Sequence, residues 1–166
     1  MKKRFFSKEM KREAVRMVKG GQRPAAQITR DLGIQPALLY DWVKKFKDAA
    51  EAILGGNLPA SFPVIDAYAD GVVTSIKSID LTASSYQLGS SLYSKLNQYL
   101  TSLYNFDGAT WGGTSVGNAA NPTDSKVLNI AIQQGVEPTA AQSAAMAQIV
   151  QQGASEGITV TFTPVK

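Results

Sequence analysis

Neither cysteine nor histidine occurs in this 166-residue chain. Without cysteine there are no disulfides and no thiolate metal sites, so stability has to come from packing. Without histidine, a Ser-His-Asp triad, a histidine general base and a histidine-ligated zinc are all excluded. Any chemistry must run on carboxylates, hydroxyls, lysines or a metal held by oxygen. The chain also lacks an apolar run approaching the ~20 residues of a membrane span. Its start, MKKRFF, is basic, but Glu9, Lys11, Arg12, Glu13 and Arg16 follow, which excludes the apolar core of a signal peptide. No membrane span and no export route are expected of the sequence as written, and a cytoplasmic location is the default.

What is present is divided. Residues 1–48 hold 13 Lys and Arg against 5 Asp and Glu, a net of +8, whereas residues 49–166 hold 4 against 8, a net of −4. A single folded unit rarely partitions its charge this way, so two modules are expected, 1–48 and 49–166. The basic one suits a polyanion. The acidic one is long enough to bury a core of its own.

In the basic module Ser7 is placed to cap a helix whose Met10, Ala14, Val15, Met17 and Val18 are apolar, and Gly20-Gly21 is expected to stop it. A short second helix opens at Pro24 and runs to Leu32, and Gly33 supplies a turn. A third helix starts at Pro36 and extends to about Phe46, with Leu39, Trp42, Val43 and Phe46 on one face. Helix, short helix, glycine turn, helix is the helix-turn-helix arrangement, whose last helix enters the DNA major groove. The segments KREAVRMV, DLGI and LYDWVKKF, within residues 4–47, resemble the N-terminal domain of insertion-sequence transposase subunits. Leu39, Trp42 and Phe46 belong to the core in this reading. Nucleic-acid contacts fall to the other face, to Gln35, Tyr40, Lys44, Lys45 and Lys47. Asp41 and Ala37 stand where base readers are wanted, so phosphate binding without sequence preference, helped by Lys2, Lys3 and Arg4, is expected. Nothing of a catalytic transposase domain follows.

The acidic module reads as a short helix (49–58), a strand in SFPVIDAY, a turn at Asp70-Gly71 and a strand in VVTSIKSIDL. A helix from about Thr82 to Tyr104, a Gly-rich loop from Asp107 to Asp124, a strand at Val127–Ile132, a helix at Thr139–Gly153 and the strand ITVTFTPV complete it. The order predicts an α/β (α+β) domain around one mixed sheet.

Asp66 lies at the end of one predicted strand and Ser75-Ile76-Lys77 on the next. Strand side chains alternate, so Ser75 and Lys77 share a face. An acid followed by polar-x-Lys on the neighbouring strand, with an earlier helical Glu, is the layout of PD-(D/E)xK nucleases. That mechanism needs neither His nor Cys. Taken singly, each residue has a plainer explanation: Lys77 as an edge-strand lysine, Asp66 as a turn residue, Asp80 as a helix cap, Trp111 as a hydrophobic plug. Trp111 is also suited to stacking on a base.

The stretch NLPASFPVIDAYADGVVTSIKSIDLTASSY, and the chain beyond it to residue 166, resembles the C-terminal toxin nuclease domain of contact-dependent growth inhibition proteins. The resemblance implies a metal-dependent endonuclease, a hydrolase acting on tRNA ahead of DNA in the target-cell cytoplasm and neutralised by a cognate immunity protein. It implies Asp66 and the helical Glu51 as metal ligands, Mg²⁺ ahead of Zn²⁺. Ser75 then stands at the usual carboxylate position, and Lys77 is the catalytic lysine. Two alternatives stand beside this reading: a non-catalytic helix-turn-helix DNA-binding protein, and an inactive orphan remnant of a toxin.

Overall fold

In the computed structural model, which describes residues 6–19, 23–59 and 61–166, the first helix begins where Ser7 predicts it. The Ser7 hydroxyl accepts a hydrogen bond from the Met10 amide at 3.1 Å, and α1 spans Lys8–Lys19. Then α2 spans Ala25–Leu32 and α3 spans Pro36–Ile53. Gly33, at φ 60°, makes the turn between them, and its amide closes α2 on Arg30 and Thr29. Leu39 and Trp42 are buried against Ala14, Val15 and Ile28, and Phe6 meets the Trp42 ring edge-on at 5.3 Å. Lys2, Lys3, Arg4, Gly20-Gly21 and the side chains of Phe46 and Lys47 lie outside the described residues.

The third helix does not end near residue 46. It continues unbroken to Ile53, absorbing what the sequence presents as a separate helix. The reason is local: KKFKDAAEAI holds no breaker, and the first one is Gly55. One rod therefore carries both the end of the helix-turn-helix and Glu51.

Asn57 follows, and its side chain behaves like a strand residue. Its Nδ2 donates to the Tyr68 carbonyl at 2.8 Å and its Oδ1 accepts from the Tyr68 amide at 2.9 Å. That covers the outer edge of β1, Ala67–Ala69, which would otherwise offer unpaired backbone. The strand is shorter than SFPVIDAY suggests, and Asp66 precedes it instead of ending it. Val64, at φ 67°, breaks the extended run before it. Asp70 and Gly71, both at positive φ, form a tight hairpin turn into β2, Val72–Ser78.

The helix expected from Thr82 starts seven residues later: α4 spans Gly89–Tyr104. Residues 81–88 instead form a single 3-10 turn at Ser84–Tyr86, braced by side chains. Asp80 Oδ1 accepts from the Thr82 amide and hydroxyl, and the Gln142 amide reaches the Leu81 and Tyr86 carbonyls. The expected loop 107–124 also contains a second, two-stranded sheet, β3 (Ala109–Trp111) against β4 (Thr114–Val116). The strands are too short for alternation to register, although Gly112-Gly113 between Thr- and Trp-containing flanks is a hairpin signal. The remaining elements are β5 (Ser125–Gln133), α5 (Ala140–Ser155) and β6 (Ile158–Val165). Thr139 caps α5 in a reciprocal box with Gln142.

The main sheet is mixed, with order β1-β2-β5-β6: β1 runs antiparallel to β2, while β2, β5 and β6 are parallel. Leu92, Leu96, Leu100 and Leu103 of α4 and Ile149 of α5 bury one sheet face together with Val73, Leu128, Ile130 and Val160. Ile76, equally buried, stands outside that core, and α3 packs against β2. Among the described residues no helix is long and apolar enough to cross a membrane.

Candidate active site

Because β1 pairs only with Val72–Thr74, the edge of β2 beyond it is left without a strand partner on that side. Asp66 takes over. Its amide donates to the Thr74 carbonyl at 2.8 Å, and its Oδ2 accepts from the Ile76 amide at 2.7 Å. The same oxygen accepts from Lys77 Nζ at 3.0 Å. These side chains are only 11% and 23% exposed, so the pair is shielded more than a surface ion pair. Both bonds fall on Oδ2, which leaves Oδ1 as the oxygen open to an incoming group.

Lys77 reaches a cleft of about 280 Å³ along that strand edge. Glu51 and Ala50 of α3 wall it on one side, and Lys95 and Tyr99 of α4, with Tyr86, on another. Asp80 also lines it. Asp66 and Lys77 therefore meet, and Lys77 and Glu51 share one cleft. Ser75 behaves differently. It is 1% exposed, and its hydroxyl donates to the Val64 carbonyl at 2.7 Å, so it supports the turn before Asp66 instead of opening on the cleft.

The electrostatics of the cleft are mixed. Burial raises the Tyr99 phenol to about 12, with a further push from Tyr86. Tyr86 is raised too, by burial and then by the Asp80 carboxylate. Both phenols stay protonated at neutral pH and keep their O–H donors. Lys95 Nζ rests over the Tyr99 ring, 5.0 Å from its centroid. Lys95, Tyr86 and Tyr99 were not among the expected site residues. The signal for them was there: Lys95 is the sole charge on α4, between Leu92 and Leu96.

A metal is tested by the donors present. The carboxylates near Lys77 offer oxygen only, and among the described residues no three gather into a cage. Mg²⁺ is commonly held through one or two carboxylates and keeps several waters. Asp66 Oδ1, beside Lys77, and the Glu51 carboxylate, which lines the cleft, are the oxygen donors available to that mode, whereas zinc prefers histidine nitrogen and cysteine sulfur, which this chain lacks.

On the helix-turn-helix, Gln35, Tyr40, Lys44 and Lys45 are all exposed, Tyr40 by 60%. Asp41 pairs with Lys45 at 2.8 Å, one turn along α3. The carboxylate that would face phosphates is thereby offset, at the cost of occupying one of the five groups expected to bind them.

Comparison with known proteins fits this geometry. The family described as CDI toxin restriction endonuclease-like domain matches residues 48–163. The chain belongs to that family. A transposase helix-turn-helix family matches residues 1–65, so the two matches overlap at residues 48–65, where α3 passes from one to the other. Among solved structures, the CdiA-CT/CdiI toxin and immunity complex from Yersinia pseudotuberculosis contains a similar chain. The two are 28% identical with a TM-score of 0.59, and the match covers 70% of this chain and 98% of that one. No curated protein matches. The toxin-nuclease part of the chain is therefore an endonuclease-like toxin domain on a mixed α+β fold.

Proposed function

We propose that this chain is a growth-inhibition toxin that hydrolyses phosphodiester bonds of nucleic acid, tRNA ahead of DNA, with a divalent metal. The observation carrying the reading is the Lys77–Asp66 contact at 3.0 Å beside a cleft that Glu51 also lines. Asp66 Oδ1 and Glu51 would hold the metal, Mg²⁺ by preference, which supplies a Lewis acid and an acidified water when bound. Asp66 meanwhile fixes Lys77 through Oδ2, so the ammonium sits at one position instead of sampling its rotamers. Held there, it offsets the negative charge that builds on the phosphoryl oxygens in the transition state. The hydroxyl of Ser75 keeps the turn that aims Asp66. A cognate immunity protein as partner is supported by the similarity to a toxin solved with one. The site of action is the target-cell cytoplasm, where tRNA is found.

Residues 1–48 act in this proposal as a phosphate-binding module without sequence preference, through Gln35, Tyr40, Lys44, Lys45 and Lys47. The +8 charge of that module supports it, as does the small number of base-reading side chains on the exposed face of α3. The test is a nuclease assay on the purified chain, with tRNA and plasmid side by side in Mg²⁺ or EDTA. Cleavage of tRNA in Mg²⁺ that EDTA abolishes is expected. No cleavage of either substrate with any divalent ion would sink the enzyme and leave the two alternatives, a non-catalytic DNA-binding protein or an inactive toxin remnant.

A further inference from the structure

Three of the four lysines in residues 49–166 are engaged differently. Lys77 is bound to Asp66. Lys126 donates to the carbonyls of Tyr104 and Phe106, both at 2.7 Å, and so ties down the end of α4. Lys95 has no carboxylate partner among the described residues; its contact is the Tyr99 ring. A ring face orients an ammonium electrostatically and fills none of its three N–H donors. Lys95 thus faces the cleft with its direction set and its hydrogen-bonding capacity unspent.

The location adds to this. The domain carries a net −4, which repels a polyanion, yet the sole charge on α4 is positive and lines the Lys77 cleft. At about 280 Å³ the cleft falls just below the roughly 300–1,000 Å³ of pockets that enclose a whole ligand. It suits one unit of a polymer at a time. Tyr86 and Tyr99 give it aromatic surface of the kind on which unpaired bases stack.

We propose that Lys95 is a substrate-binding residue of this nuclease: it contacts a phosphate next to the one that is cut, and holds the strand in register with Lys77. The inference rests on the nuclease reading above and deepens it. Lys95 acts on binding, so it differs in kind from Lys77, which acts on the transition state.

The experiment compares the full chain with its Lys95→Ala and Lys95→Arg variants in tRNA and plasmid cleavage over a series of salt concentrations. Lys95→Ala is expected to raise KM about 10-fold with kcat within about threefold, as loss of uniform binding does. Log kcat/KM should also fall less steeply with log salt, by about 0.7–0.9 for one lost phosphate contact. Lys95→Arg, which keeps the charge, should restore both. An unchanged KM and slope in Lys95→Ala, with the wild type active, would overturn the proposal while leaving the nuclease reading intact. So would a KM defect accompanied by a lowered Tm that Lys95→Arg does not rescue. A second arm measures binding of labelled tRNA and labelled duplex DNA by the Lys77→Ala chain, with and without Lys95→Ala. A wild type that cuts nothing defeats the nuclease reading. In that event, equal affinity and equal salt dependence in this arm also defeat the role of Lys95, whereas weaker binding with a shallower slope preserves it.

Discussion

The Ser75 hydroxyl donates to the Val64 carbonyl at 2.7 Å, and Val64 is a β-branched residue held at φ 67°. Such a residue at positive φ is strained unless its surroundings fix it. Two residues later comes Asp66. The sequence alone suggests Ser75 as a cleft residue, but its side chain holds the turn that delivers Asp66. Ser75→Ala should therefore lose about 1–2 kcal/mol of stability, because the Val64 carbonyl loses the donor that a buried hydroxyl supplies. It should also reduce cleavage, since Asp66 is less well held. Urea denaturation and the cleavage assay together check this. A variant of wild-type stability would show that Val64 does not depend on the bond.

Lys77→Ala and Asp66→Ala should separate chemistry from folding. Lys77→Ala is expected to cost 10²-fold or more in cleavage rate, of the order seen when a transition-state donor is removed. Its effect on stability should stay below about 1 kcal/mol, since Asp66 Oδ2 keeps the bond from the Ile76 amide. Asp66→Ala removes the same ion pair and also leaves the Ile76 amide without its acceptor, so a loss of about 1–3 kcal/mol is expected. Equal denaturation midpoints for the two variants would contradict this division.

Alkaline titration should find Tyr99. Its phenol stays protonated in the folded state to about pH 12, against an ordinary value of 10.0. The unfolded chain therefore releases this proton first as pH rises. The contribution to stability is complete below pH 10 and is lost progressively between pH 10 and 12. Unfolding measured across that window should show the decline, and Tyr99→Phe should flatten it. Tyrosinate absorbance should show one phenol ionising well after the exposed ones.

Buried residues of the chain gather in two clusters, one around Leu39 and Trp42, the other around Leu92, Leu96 and Ile130. A fragment of residues 49–166 should fold, but it would keep only five residues of α3, too few to hold a helix alone. It should retain the sheet yet cleave weakly, because Glu51 loses its mount. Circular dichroism with the cleavage assay would test this. A fragment as active as the full chain would remove Glu51 from the site, and an unfolded one would count against two modules.

The features that the sequence made legible are those decided within a few residues. Ser7 and Thr139 cap helices, Asp70-Gly71 turns a hairpin, and Leu39 and Trp42 are core because helical spacing puts them on one side. The pairing of Asp66 with Lys77 followed from alternation across that hairpin. What stayed hidden depends on distant partners. The late start of α4 is enforced by Gln142, 61 residues from the Leu81 carbonyl it holds. Ser75 was assigned to chemistry because a motif records positions, whereas its actual bond is to the backbone of a strained residue that no motif includes. The placement of Lys95 and Tyr99 in the cleft requires knowing which face of α4 meets the end of β2.

The unbroken course of α3 makes the stretch where the two family matches overlap indifferent to which residues stand there but sensitive to how many. Each residue of helix adds about 100° of rotation and 1.5 Å of rise. Trp42, buried among the first three helices, and Glu51, in the cleft, lie on opposite sides of one shaft, about two and a half turns apart. A single-residue insertion between them would swing the carboxylate out of the cleft while every amino acid on either side stayed the same. Seven added residues would nearly restore its bearing but carry it about 10 Å too far along the axis. Any change of length at this point must respect helical phase, a constraint that a flexible linker would not impose.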